Sequence, residues 1–221
     1  MNSPWLWMRI VGILSLLFLT SFIPSALAGT SEEAVHDHHT VQPTHSEDST
    51  GRRLHADEKN AGLALGVGFG VEAFGGRERH DLVLATGYFG WIFTDVLAAD
   101  HWYGGNFEIL AEVVGGKQMN PDSRDVVGLS AVIRYNFVTS GPWVPYVDGG
   151  FGVALTDIGE PDLSSKFQFI TQFGAGARYF FLQNTAFIFQ YRWFHLSNAG
   201  IEQPNQGTNT QMFYLGLDWF F

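Results

Sequence analysis

A histidine and a serine separated by one residue form the most reactive pairing in the chain. His195 can take a proton and Ser197 can offer a hydroxyl, the two parts of a nucleophilic ester-cleaving pair. Both end an aromatic run, Phe187 to Phe194, that alternates as a strand does. Residues i and i+2 of a strand project from one face, with Cα atoms roughly 6.5–7 Å apart. Imidazole and hydroxyl can therefore converge on one surface. The stretch after them, Asn198 to Asn209, is rich in amides and glycine and contains Pro204. It predicts a turn that can present hydrogen-bond donors to a developing negative charge. A bland reading stands beside this one: His-x-Ser is a short motif, and polar residues at the rim of a sheet can simply meet water.

Such a pair needs a scaffold, and composition narrows the kind. The 221-residue chain carries 22 Asp+Glu against 12 Lys+Arg, which argues against nucleic acid as a partner. It has no cysteine, so no disulfide holds it. Its 20 Phe, 7 Trp, 7 Tyr and 26 Gly suit a β-barrel whose outside touches lipid. Residues 1–28 read as a signal peptide: Arg9 is the basic start, and Ala26-Leu27-Ala28 is the cleavage pattern. The apolar stretch 10–23 between them is short for a membrane-spanning helix, which needs about 20 residues. Residues 29–60 are polar and hold His36, His38, His39, His45 and His55; they read as a disordered, His-rich periplasmic arm. Those histidines fit a metal-catching arm or a solvated linker, and with no scaffold to fix a ligand set no metal site is assigned.

Residues 61–221 alternate with period two. Leu63, Leu65, Val67, Phe69 and Val71 oppose Ala64, Gly66, Gly68, Gly70 and Glu72, and residues 82–93 form a second strand. Phe107, Ile109 and Val113 oppose Glu108 and Glu112; Ile133, Tyr135 and Phe137 oppose Arg134 and Asn136. Val147, Phe151 and Val153 oppose Tyr146, Asp148 and Gly150; Phe169 and Phe173 oppose Gln168, Gln172 and Arg178. Phe187, Phe189, Tyr191 and Trp193 oppose Gln190 and Arg192, and the last segment puts Phe213, Leu215, Leu217, Trp219 and Phe221 on one face. About eight strands of roughly ten residues predict an all-β fold, an eight-stranded antiparallel transmembrane β-barrel. A soluble barrel would turn the bulky face inward, but that face is too large for a lumen of eight strands. The small and charged face fits there, so Glu72, Glu108, Glu112, Arg134, Asp148, Arg178 and Arg192 are expected to pair inside. Short connections at 139–142 and 182–184 predict periplasmic turns, and 115–125, 156–166 and 198–210 predict longer outer loops. The connection at 94–105 is then a long inner one.

Parity puts His195 and Ser197 on the face of Phe189 and Trp193, toward lipid, and Asn209 on the face of Phe213 and Leu215. The run His195-Leu196-Ser197-Asn198-Ala199-Gly200, followed by Pro204-Asn205-Gln206-Gly207, resembles the lipid A 3-O-deacylase family of the PagL type. The resemblance covers roughly residues 62–221. The alternation ending in Phe221 also resembles the terminal assembly signal of outer-membrane barrels. The resemblance implies an outer-membrane barrel whose hydrolytic residues lie on its outer wall. It makes Ser197 the nucleophile and His195 the general base, with the regions of Asn198, Asn205 and Gly207 shaping an oxyanion pocket. The family's acid falls at Asn209, where this chain has an amide and not Glu. A carboxylate fixes the histidine tautomer and stabilises the imidazolium. An amide can accept the ring N–H but brings no charge and can flip, so Glu202 in the loop is the candidate substitute acid. Trp193 and Phe194 are candidates to line an acyl path or to anchor the membrane interface.

The expected function is an esterase that removes an ester-linked acyl chain, at the 3-O position, from lipid A in the outer leaflet. The scheme needs no metal or cofactor. Its partners are lipopolysaccharide as substrate and the surrounding outer-membrane lipids, with homodimerisation left open. Two other classes compete. One is a non-catalytic small outer-membrane barrel with an adhesion or structural role, which the missing acid favours. The other is a narrow pore, which the charges expected in the lumen oppose.

Overall fold

Alternating side chains force each strand to show one face to a lumen and one to the outside, and the chain closes on that rule. The computed structural model describes residues 54–221. The expected signal peptide, and the expected arm through residue 53, lie outside the described residues. Eight strands follow in order: β1 (Lys59–Gly70), β2 (Asp81–Ile92), β3 (Gly105–Asn120), β4 (Arg124–Phe137), β5 (Trp143–Thr156), β6 (Phe167–Leu182), β7 (Thr185–Ser197) and β8 (Thr208–Phe220). Each pairs antiparallel with its neighbours, and β8 returns to β1, so the sheet has no open edge. Strand β1 starts at Lys59, two residues ahead of the boundary expected from sequence.

The large apolar side chains are on the outside: Leu65, Phe151, Phe173 and Leu215 are all exposed. Inside, three buried arginines meet four buried carboxylates. Arg178 donates from Nε to Asp218 at 2.7 Å and from Nη2 to Glu108 at 2.9 Å. Arg192 donates to Glu112 at 2.7 Å and to Asp148 at 3.0 Å, and Arg134 reaches the same Asp148 oxygen at 3.0 Å. The guanidinium of Arg134 also lies 4.0 Å from the centre of the Tyr146 ring. A buried charge is tolerated only when it is paired and hydrogen-bonded. These pairs join β6 and β7 to β3 across the interior, so side chains fill the lumen.

Three expectations are corrected. Glu72 is not in the lumen: β1 ends at Gly70, and Glu72 is exposed in the loop 71–80. The chain leaves the sheet there through Phe74 and Gly75, both at positive φ. The segment 115–125 is not a loop. The β3–β4 ladder runs on to Gln118 and Arg124, which leaves only 121–123 as the turn. Gly115 and Gly116 look like turn residues, but at Gly116 the neighbouring backbone comes so close that a Cβ would sit 2.1 Å from the Val83 oxygen. Phe194 faces inward and is buried with Ile170 and Leu196, so it cannot line a path on the outer wall. Its even number decides that. The loops 71–80, 157–166 and 198–207 gather at the end of the barrel opposite the start of β1 and the end of β8, and that is where His195 lies.

Candidate active site

Strand β7 carries His195 and Ser197 out of the barrel on its odd-numbered face, as the alternation predicts. Across the sheet His195 stands opposite Asn209 of β8 on one side and Thr171 of β6 on the other. Residues directly opposite each other have Cβ atoms about 4.5–5.5 Å apart, within reach of a side-chain hydrogen bond. One forms: His195 Nδ1 to Asn209 Oδ1, 2.8 Å.

Asn209 belongs to an outward face, yet it is only 2% exposed because the loop 71–80 folds over it. Val71 donates its N–H to the Asn209 carbonyl at 2.9 Å, and Asn209 Nδ2 donates to the Ala73 carbonyl at 2.9 Å. The second contact settles which way the amide points. Turned over, it would set its oxygen against another acceptor, so Oδ1 is left to accept from the imidazole. The ring then donates from Nδ1, and in the neutral imidazole the lone pair is on Nε2. The freedom to flip expected of an amide here is removed by Ala73.

Gly207 forms the floor under the ring. It has φ +75°, a region that glycine enters freely. A Cβ there would stand 2.6 Å from His195 Cε1, so a larger residue would displace the imidazole.

The turn after Ser197 is folded by its own amides. Asn198 is buried; its N–H donates to Asn205 Oδ1 at 2.9 Å, and its Nδ2 donates to Ser164 Oγ at 3.1 Å and to the Glu202 carbonyl at 3.0 Å. Its Oδ1 accepts from the Gly200 N–H at 2.9 Å. The Gly207 N–H donates to the Asp162 carbonyl at 3.3 Å. Asn198, Asn205 and Gly207, the residues expected to shape an oxyanion pocket, thus spend these polar groups on building the loop. What they build presents Ala199, whose φ of 56° is unusual for a residue with a side chain. The Ala199 N–H has no hydrogen-bond partner among the described residues. Glu202 is exposed, and no hydrogen bond joins its carboxylate to His195 among the described residues.

Ser197 and His195 share a face without a hydrogen bond between them among the described residues. Such contacts are often long without substrate and tighten when it binds. Beside them Trp193 lies between two outward rings, Phe173 at 6.4 Å and Phe74 at 6.1 Å. The sequence carries no signal for Ala73, whose backbone does the work, or for Ala199, whose φ does. Gly75-Gly76 marks only that a turn lies near.

A closed barrel with an apolar wall, and with a histidine, an orienting amide and a serine on that wall, defines a small outer-membrane-type barrel that carries these polar groups outside the lumen. A family model described as lipid A 3-O-deacylase (PagL) matches residues 87–218, more than half of the chain. The chain belongs to that family. The lipid A deacylase PagL of Pseudomonas aeruginosa is 35% identical over 74 residues, which cover 32% of this chain and 40% of that protein. The crystal structure of the outer membrane enzyme PagL superposes with a TM-score of 0.52 at 19% identity, covering 70% of this chain and 97% of the other. Neisserial surface protein A gives a TM-score of 0.51 at 13% identity, covering 74% and 96%. At these identities the two structures support the fold alone, and a barrel of this shape serves more than one kind of protein.

Proposed function

We propose that the protein is a serine esterase of the outer membrane that releases an ester-linked acyl chain, at the 3-O position, from lipid A. The observation that carries this reading is the His195–Asn209 hydrogen bond of 2.8 Å on the outward wall, on the same face as Ser197. Asn209 holds the proton on Nδ1. Nε2 then takes the proton of the Ser197 hydroxyl as its oxygen attacks the ester carbonyl. The Ala199 N–H points to an oxyanion donor, a contribution typically worth about 3–4 kcal/mol. Collapse of the tetrahedral intermediate leaves the acyl group on Ser197 and the sugar hydroxyl free, and water releases the fatty acid. Trp193 and its aromatic neighbours give the acyl chain an apolar wall on approach. The substrate already lies in the outer leaflet, so a site on the wall needs no tunnel.

One observation favours a second reading. Asn209 brings no charge to stabilise an imidazolium, as a non-catalytic barrel with an adhesion or structural role would allow. Mass spectrometry of lipid A from cells expressing the protein separates the two. Expression should remove the mass of one acyl chain, and Ser197→Ala should restore the original spectrum. Unchanged lipid A in membranes that hold the folded protein would leave the structural reading standing.

A further inference from the structure

Away from the reactive pair, the loop end of the barrel buries a second histidine and a carboxylate that the chemistry above does not use. His80 is 3% exposed and Asp162 is 0% exposed. The Asp162 carboxylate accepts from three donors: the N–H of Arg77 at 2.8 Å, the N–H of Glu78 at 3.0 Å and His80 Nε2 at 2.9 Å. Its main-chain oxygen accepts from Gln206 N–H at 2.9 Å and Gly207 N–H at 3.3 Å. The other nitrogen of His80 meets Gln118 Oε1 at 2.7 Å, and Gln118 Nε2 is spent on the Asp122 carbonyl at 3.0 Å. That orients the Gln118 oxygen toward the ring, so the Nδ1 side of His80 is the donor in that contact. The His80 carbonyl accepts from Thr210 Oγ1 at 3.0 Å, which ties the cluster to β8.

One residue therefore joins three loops. Asp162 sits in 157–166. It grips the far end of 71–80, the loop that brings Ala73 onto Asn209. It also grips 206–207, the segment that brings Gly207 under His195. The two gripped loops touch as well, since a Cβ on Gly76 would stand 3.2 Å from the Gly207 oxygen. A carboxylate this deeply buried is costly unless its donors are held in place. The carboxylate fixes the loop that sets the Ala73 carbonyl on Asn209, and the main-chain oxygen of the same residue holds Gly207 under the ring.

We infer that Asp162, with His80, is a positioning pair for the His195–Asn209 unit, acting through Ala73 and Gly207. The inference rests on the hydrolase reading, and the test keeps the two apart. Asp162→Asn preserves shape but loses the charge and turns one acceptor into a donor. The purified barrel is assayed on lipid A in mixed micelles, and the ring nitrogens of His195 are read by NMR, with His195→Gln for assignment. In Asp162→Asn, kcat should fall about ten- to a hundredfold, the usual cost of a small misplacement, with KM nearly unchanged. The His195 signal should change from the Nδ1–H tautomer to a mixture. His80→Gln, which keeps the Asp162 carboxylate and its two backbone N–H donors, should shift both readouts the same way by less; it is the variant read if Asp162→Asn does not reach the folded barrel. A folded variant that keeps wild-type kcat and a single Nδ1–H tautomer overturns the inference. A wild-type protein inactive on lipid A overturns the hydrolase reading instead, and the tautomer comparison still decides the positioning role.

Discussion

Strand β7 carries two opposite solutions three residues apart. Arg192 points inward and is fully charged, held by Glu112, Gln172 and Asp148. His195 points outward and is held by a neutral amide. The lumen concentrates carboxylates against guanidiniums, because a closed interior without bulk water makes every unpaired charge costly. The outer wall holds a partner that accepts one hydrogen bond and adds no charge. The fully buried arginines thus all carry ion pairs in the lumen, while the outward His195 has a neutral partner. The difference teaches that residue parity along one strand decides whether a side chain meets the charged lumen or the outer wall.

Four substitutions would break or sharpen that contrast. The largest effect is expected from His195→Ala: deacylation should fall by at least about 10³-fold while the barrel folds normally, since only the proton acceptor is lost. Equal turnover in the two proteins would refute a role for the outward pair. Next, Arg178→Met should leave Glu108 and Asp218 buried without their cation and cost about 3–5 kcal/mol, measured by urea unfolding in lipid. Activity per folded molecule should not change, because the network does not reach the outer wall. Third, Asn209→Ala should lower kcat about ten- to a hundredfold through loss of tautomer control alone. A loss as large as that of His195→Ala would mean that Asn209 does more than orient the ring. The smallest effect is expected from Gly207→Ala. Its positive φ should cost about 1–2 kcal/mol of stability, and kcat should fall a few-fold as the methyl pushes the imidazole off Asn209. A crystal structure with the ring unmoved would sink that account.

Much of the architecture was legible because a two-residue period has one geometric meaning. The odd-numbered aromatics of β7 pointed to the outer wall, and Arg134, Arg178 and Arg192 to the lumen, before any contact was known. Glu72 was misassigned because the alternation continues two residues past Gly70, where the backbone has already left the sheet. Gly115 and Gly116 were misassigned because glycine marks a close approach of backbones as readily as a turn. The His195–Asn209 pair was legible as two candidates but not as a bond. The Ala73 carbonyl that fixes the amide is 136 residues away in sequence. The tie between His80 and Asp162 spans 82 residues and has no local pattern at all.

The sequence by itself determined that eight alternating segments form a barrel, which side chains face lipid, and that His195 and Ser197 stand together on the outer wall. Side-chain direction along a strand is local, so each segment carries that information alone. Only the tertiary structure decided which carboxylate answers which arginine, how Asn209 is turned, and that Asn198 and Asn205 build the loop that presents Ala199. Those outcomes depend on strand register, closure of β8 onto β1 and the meeting of three loops, and such long-range geometry leaves no mark in any one stretch of residues.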